Sequence, residues 1–189
     1  MGSRLRIFIA VGLPPGVVGM IAEIEGKLKT TKGRITWVKP ENSHLTLRFL
    51  GEVEEGRIED IHRAMLRAIV GIHPFSIVLR GVGAFPSITN PRVLWIGVDG
   101  GEQLGTIYDR LEEELVGIGF EKERRRFHPH VTIGRVRHLA GKGALLDSIE
   151  RLGAVESGSV PVENILLFRS DLRPSGAVHT ILREARLGE

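Results

Sequence analysis

Residues 42–51 read NSHLTLRFLG, and the pattern of this segment is the best starting point for predicting the fold. Apolar and polar side chains alternate in it, which is the pattern of a β-strand with one buried face. The apolar residues form the core face, and His44, Thr46 and Arg48 share the other face because side chains two apart on a strand point the same way. The strand therefore presents a histidine and a threonine side by side on a polar surface.

A second copy of this pattern occurs at residues 127–135, FHPHVTIGR, which contain His130 and Thr132. The chain has seven histidines and eight threonines in 189 residues, so chance gives only about 0.3 His-x-Thr triplets. Two copies in strand-like segments indicate two equivalent strands. The two histidines are 130 − 44 = 86 positions apart, nearly half the chain, which predicts an imperfect internal duplication rather than a short-period repeat.

The remaining patterns predict the element order βαββα followed by ββαβαββ. Besides the second motif strand, strands are expected at residues 5–11, 34–38, 44–50, 75–82, 92–98, 160–168 and 177–182. Gly51 is expected to end the third strand, and residues 84–91 and 170–176 are expected to be connecting loops. We expect two α+β lobes, each with one motif strand, that face each other across a shared groove within a single domain of residues 1–189.

The composition excludes several kinds of chemistry and location. The chain has no cysteine, which rules out disulfides, thiolate catalysis and cysteine-ligated metals. No apolar run reaches the roughly 20 residues of a membrane span, and the first residues show no signal-peptide pattern. We therefore expect a cytoplasmic protein that does not enter membranes. A net charge of +3 is compatible with a phosphate-bearing partner.

Two His-Thr pairs suit displacement at a phosphorus atom. An imidazole with an ordinary pKa near 6.5 can accept or donate a proton at neutral pH, so two of them can serve as an acid-base pair around one centre. The threonine hydroxyls can donate hydrogen bonds to phosphate oxygens without acting as nucleophiles. The pattern therefore favours an enzyme that acts on a phosphate ester.

Three other interpretations stay open at this point. A nucleophilic triad through Thr46 or Thr132 lacks an evident acid. A metal site could use His128 as a third ligand beside the two motif histidines, although carboxylates at ligand spacing are missing. An RNA-binding or nucleotide-binding protein with little catalytic turnover is the main alternative outside enzymes.

The chain resembles the 2H phosphoesterase superfamily, and specifically its RNA 2′,3′-cyclic phosphodiesterase (2′-5′ RNA ligase-like) branch. The resemblance covers nearly the whole chain and includes more than the two His-x-Thr motifs. The further segments that carry it are RIFIA at residues 6–10, WV at 37–38, GAFP at 83–86, RVLW at 92–95 and LFRS at 167–170.

The resemblance implies a bilobal fold in which two pseudo-symmetric antiparallel sheets face a central cleft, with the helices outside. It implies an enzyme without metal or organic cofactor that opens 2′,3′-cyclic phosphates on RNA ends to leave a 2′-phosphate. Reversible 2′-5′ RNA ligation is a secondary activity of such proteins. The expected partners are RNA ends with a 2′,3′-cyclic phosphate, tRNA fragments among them, and the protein is expected to be a monomer.

The resemblance also implies roles for six residues. His44 is expected to be the general acid that protonates the departing 3′ oxygen, and His130 the base that activates water. Thr46 and Thr132 are expected to hold phosphate oxygens. Two arginines are expected to bind substrate: Arg48, which strict alternation places on the face of His44, and Arg135, which the family commonly has but which strict alternation places opposite His130. His179 stands where the family often has tyrosine.

Overall fold

The computed structural model describes residues 3–29, 33–139, 142–174 and 176–188. Within these ranges it contains nine strands and four α-helices. The strands are β1 (Arg4–Gly12), β2 (Gly33–Trp37), β3 (His44–Glu54), β4 (Phe75–Ser87), β5 (Asn90–Asp99), β6 (His130–Leu139), β7 (Val160–Val162), β8 (Asn164–Arg173) and β9 (Gly176–Arg186). The helices are α1 (Pro15–Leu28), α2 (Ile58–Ala68), α3 (Glu102–Gly117) and α4 (Lys142–Arg151).

The strands form an antiparallel sheet in the order β7-β4-β5-β6-β3-β1-β8-β9, and β2 also pairs with β6. The sheet consists of two halves that meet at one residue pair, Leu45 of β3 with Val131 of β6. One half contains β1, β3, β8 and β9, and the other contains the remaining strands. This arrangement confirms the predicted α+β class, and the two expected antiparallel sheets are joined into one at this residue pair.

The helices cover one face of each half because the apolar stripes of both must be buried together. On β1, Ile7 and Ile9 belong to the core cluster, which also includes Ile21 of α1 and Met65 of α2. Phe8 lies between the two isoleucines and points to the opposite face, which we call the cleft face. None of the helices in the described ranges is both long and apolar enough to cross a membrane.

Several predicted boundaries are wrong. Residues 84–91 are not a long loop, because β4 and β5 continue pairing to Ser87 and Asn90 and leave a two-residue turn. Pro86 and Pro91 do not break the hairpin because they lie opposite each other near its end. Strands β8 and β9 likewise pair up to Arg173 and Gly176, so most of the predicted loop at 170–176 is strand.

Gly51 does not end β3. The pairing with β1 passes from Phe49–Phe8 to Gly51–Ile7, which leaves Leu50 as an extra residue in a β-bulge. Gly51 has φ of +72°, a conformation that glycine adopts without steric cost. The strand therefore continues through the bulge to Glu54.

Candidate active site

The two motif strands cross at the joint between the halves of the sheet. Because β3 and β6 are antiparallel and Leu45 pairs with Val131, His44 lies towards Thr132 of the other strand, and Thr46 lies towards His130. The two histidines are diagonal neighbours across this pair, and such residues in a ladder are about 7–8 Å apart. The joint therefore brings the two His-Thr pairs together around a local two-fold axis, as the sequence predicted.

The two imidazoles are held in the same way. Nδ1 of His44 lies 2.8 Å from the carbonyl oxygen of Asn42, and Nδ1 of His130 lies 2.6 Å from that of His128. A carbonyl oxygen can only accept a hydrogen bond, so Nδ1 carries the hydrogen in each ring. In the neutral form Nε2 is therefore the free basic atom of both histidines.

Aromatic rings enclose His44. Its ring stacks on Phe8 with the centroids 4.6 Å apart, and His179 of β9 stands edge-on at 5.2 Å. Phe168 completes the cluster at 6.2 Å. Burial among these rings disfavours the charged imidazole and lowers the pKa of His44 to about 4, against the opposing effect of the Asn42 carbonyl and with a smaller contribution from His179.

A matching cluster surrounds His130. Phe85 lies edge-on with its centroid 5.0 Å away, and Trp95 and His128 lie at 6.3 and 6.4 Å. Burial also lowers the pKa of His130, and the charges of His128 and Arg135 lower it further, while the hydrogen bond to His128 raises it. These aromatic residues were not predicted from the sequence to lie in the site.

These depressed pKa values predict that acid destabilises the folded protein. The folded pKa of His44 is about 4, below the roughly 6.5 of an unfolded chain, so the unfolded state binds more protons between these values and stability falls as the pH drops. The measurement is the free energy of unfolding in urea at pH 7.5 and at pH 4.5. The decrease between these pH values should be smaller in His44→Gln than in the wild type, by up to roughly 3 kcal/mol. His62→Gln on α2, outside this aromatic cluster, is the control substitution. Equal slopes for the wild type and His44→Gln would contradict the burial of a neutral imidazole.

A second bulge in β3 turns Arg48 away from the site. Ala10 and Ile9 are consecutive in β1, but their partners in β3 are Thr46 and Arg48, so Leu47 between them is an extra residue without a partner in β1. Directly opposed residues share a face, and Ile9 belongs to the helix-covered core. The prediction that Arg48 lies on the face of His44, from which it was expected to bind substrate, is therefore wrong, because strict alternation ends at this bulge.

Arg48 instead pairs with acidic residues on the helix side. Its Nε lies 2.5 Å from Oε1 of Glu112 on α3, its Nη1 lies 3.6 Å from Oε2 of Glu123, and its Nη2 donates to the carbonyl oxygen of Glu121. Glu112 also accepts the backbone N–H of Glu123 at 2.7 Å. Arg48 thus links the first motif strand to the loop that precedes the second.

A bulge in β6 has the opposite effect on Arg135. Thr132 pairs with Trp95 and Gly134 with Leu94, so Ile133 is the extra residue. Arg135 consequently pairs with Val93 on the face of Trp95 and Thr132. Arg135 therefore lies on the cleft face, where its charge acts on His130.

A cavity of about 700 Å³ opens beside His44. Its lining includes Asn42, Phe168, His179 and Thr180 in addition to the histidine. The cavity therefore has aromatic walls and several hydrogen-bonding groups next to one imidazole. This combination suits a ribose or a base adjacent to a phosphate. In the described part of the chain, no three His, Asp or Glu side chains lie close enough to bind a metal ion together.

The indole of Trp95 lies directly on Gly83 of β4. A Cβ added at Gly83 would lie 2.3 Å from two indole carbons, so alanine there must displace the ring beside His130. We expect Gly83→Ala to cost roughly 1–3 kcal/mol of stability, measured by urea unfolding. Gly105→Ala in α3 meets no atom within 4 Å and should be neutral or stabilising. Equal effects of the two substitutions would contradict this packing.

Comparison with known proteins supports the same family. The LigT-like phosphoesterase model matches the chain twice, over residues 11–95 and 96–179, once for each motif. The RNA 2′,3′-cyclic phosphodiesterase of Methanothermobacter thermautotrophicus is 36% identical over 97% of this chain and 100% of its own length. That of Aeropyrum pernix is 39% identical over 90% of this chain and 96% of its own.

Solved structures show the same architecture. TT0787 of Thermus thermophilus superimposes with a TM-score of 0.81, at 31% identity and over 96% of this chain and 97% of its own. Escherichia coli LigT in complex with 3′-AMP superimposes with a TM-score of 0.77, at 25% identity, over 99% of this chain and 100% of its own. The chain thus belongs to the LigT-like family of 2H phosphoesterases.

Proposed function

We propose that the protein hydrolyses 2′,3′-cyclic phosphates at RNA ends and leaves a 2′-phosphate, without a metal ion. The observation that carries this proposal is the pair of His-Thr motifs around the Leu45–Val131 joint, each with its histidine Nε2 free. The relatives named RNA 2′,3′-cyclic phosphodiesterase support the same activity.

The reaction uses the two imidazoles in opposite protonation states. Nε2 of neutral His130 takes a proton from water as the water oxygen attacks phosphorus. The bond between phosphorus and O3′ breaks, and protonated His44 gives its Nε2 proton to O3′. His130 ends protonated and His44 neutral, so a proton exchange with solvent restores the starting state.

Thr46, Thr132 and Arg135 stabilise the phosphate during this step. The two hydroxyls lie beside the opposite motif's histidine across the joint, and Arg135 adds a positive charge from the cleft face. Negative charge grows on the non-bridging oxygens as water attacks, so these contacts are stronger in the transition state than in the ground state.

Substrate binding also raises the pKa of His44, the general acid. In the free protein, burial keeps the pKa of His44 near 4, which would leave little of it protonated at neutral pH. A bound phosphodiester places a negative charge beside the imidazole and favours its charged form. The anion therefore helps to supply the proton that its own cleavage requires.

Ring opening of a defined RNA tests the function. The substrate is an oligoribonucleotide with a 2′,3′-cyclic phosphate, incubated with the protein in excess chelator. We expect conversion to a 2′-phosphate end and no 3′-phosphate. Tight binding without conversion would instead identify a binding protein, and activity only after metal is returned would contradict the metal-free mechanism.

Ligation of 2′-5′ ends is proposed as the reverse of the same chemistry. Water is far more concentrated than RNA ends, so hydrolysis dominates unless two ends are held together. Joined product should therefore rise with RNA concentration while hydrolysis still predominates.

A further inference from the structure

Some surface arginines are paired with carboxylates. Seven of them have an acidic oxygen within 4 Å in the described ranges: Arg57, Arg63, Arg67, Arg80, Arg169, Arg183 and Arg186. Other arginines have no acidic partner among the described residues, and three of these lie together on adjacent strands: Arg34 of β2 and Arg135 and Arg137 of β6. Positive charge is therefore left uncompensated along β2 and β6.

These three arginines lie at one edge of the cleft face. Ile35 pairs with Val136, whose side chain is part of the core, so the neighbouring Arg34 and Thr36 point to the cleft face. Arg34 pairs with His138 and Thr36 pairs with Arg135.

Arg137 reaches the same face, because its Nε lies 3.5 Å from Oγ1 of Thr36. We call Arg34, Arg135, Arg137 and His138 the basic strip, and all four are exposed.

The basic strip continues directly from the catalytic motif. At about 3.3 Å per residue, positions 135 to 138 lie roughly 10–20 Å beyond Thr132 along β6. A stacked strand rises by roughly 3.4 Å per nucleotide along its axis, so this interval corresponds to about three to six nucleotides upstream of the terminal phosphate. A chain whose terminal phosphate lies between the two motifs can therefore place the phosphates of those nucleotides on the strip.

The opposite direction from the site is less suited to a polyanion. The cavity beside His44 is lined by Phe168 and His179 and also by Glu41 and Glu163. Among the described residues its lining includes no arginine or lysine. This cavity therefore offers a polyanion two carboxylates and no cationic side chain.

We propose that the basic strip binds the backbone of the RNA strand upstream of its cyclic phosphate end. This inference rests on the proposed function and adds a path for the polymer. The strip offers guanidinium groups, which suit phosphate oxygens, and its four members include no large aromatic ring on which a base could stack. The contact is therefore with the backbone and independent of base sequence.

The test compares a polymer with a monomer. The variant is Arg34→Gln with Arg137→Gln, and the substrates are a ten-nucleotide RNA with a 2′,3′-cyclic end and a 2′,3′-cyclic mononucleotide. We expect the KM for the RNA to rise about tenfold and the slope of log affinity against log salt to fall by about 1.4, for two lost phosphate contacts. The kcat/KM for the mononucleotide should stay unchanged.

The matched control is Arg110→Gln with Arg151→Gln, which removes the same charge from α3 and α4. Equal losses for both substrates, no loss for the RNA, or the same loss in the control would overturn the inference.

Failure of the wild type to open either substrate would contradict the proposed function instead. In that case, fluorescence anisotropy with a labelled RNA that is not cleaved still tests whether the basic strip binds RNA. We expect about tenfold weaker binding by the variant, and wild-type affinity would overturn the inference.

Discussion

Replacing His44 or His130 by glutamine should lower the rate of RNA ring opening by roughly 10²–10⁴-fold, the usual contribution of a general acid or base. Glutamine fills a similar volume but cannot exchange a proton at neutral pH. The two imidazoles act on the same phosphorus atom, so the double variant should lose much less than the product of the two single losses. Single-turnover rates with the cyclic-end RNA measure this directly.

Two controls separate chemistry from folding in this experiment. His62→Gln changes a histidine of α2 whose Nε2 lies 2.9 Å from the carbonyl oxygen of Glu184, and it should keep full activity. Unfolding in urea at pH 7.5 should show that the His44 and His130 variants remain folded. Activity within threefold of the wild type in either variant would remove that histidine from the mechanism.

Arg48→Met should destabilise the protein by about 3–5 kcal/mol, the usual cost of breaking a buried ion pair by removing one partner. The side chains of Arg48 and Glu112 are only 12% and 5% exposed, so the substitution leaves a carboxylate without its cation in the protein interior. The free energy of unfolding in urea measures the loss.

Removing Glu112, the partner of Arg48, as well provides a comparison between the single and the double variant. In the double variant Arg48→Met with Glu112→Gln, no buried charge remains and the amide oxygen can still accept the Glu123 N–H, so stability should partly recover. Arg67→Met breaks the exposed pair with Glu114 and should cost only about 0–1 kcal/mol. If the double variant is less stable than Arg48→Met alone, Arg48 is not held by this ion pair.

The sequence was sufficient to predict the two lobes and the pairing of the two motifs. Apolar alternation in residues 44–47 set the face of His44 and Thr46, and the spacing of 86 residues placed their counterparts in the other half of the chain. These features depend on strand periodicity, which is local and regular. The structure confirms the α+β class and brings the four motif residues to one joint.

Strict alternation gave the wrong face for both arginines, and for one physical reason. A bulge inserts one residue and reverses every later side chain, and nothing in the residue types at Leu47 or Ile133 reveals it. Strict alternation therefore placed Arg48 in the cleft and Arg135 outside it, whereas the pairings with Ile9 and Val93 place them the other way round.

The aromatic residues that line the site were not predicted because their sequence pattern is that of buried core residues. Phe8 lies between Ile7 and Ile9, and consecutive apolar residues on a strand make both faces apolar. That pattern was a usable signal, since a strand with an apolar second face must contact something there. The structure shows that the second face of β1 packs against His44 and Phe168.

The division of labour between the two histidines is tested most directly by the pH dependence of kcat/KM for RNA ring opening. The wild type should give a bell, because one imidazole must be neutral and the other protonated. His130→Gln should lose the rise at low pH and keep the fall at high pH, since only the acid still titrates. His44→Gln should keep the rise and lose the fall. A complete bell in both variants would show that other groups transfer the protons and would contradict the mechanism.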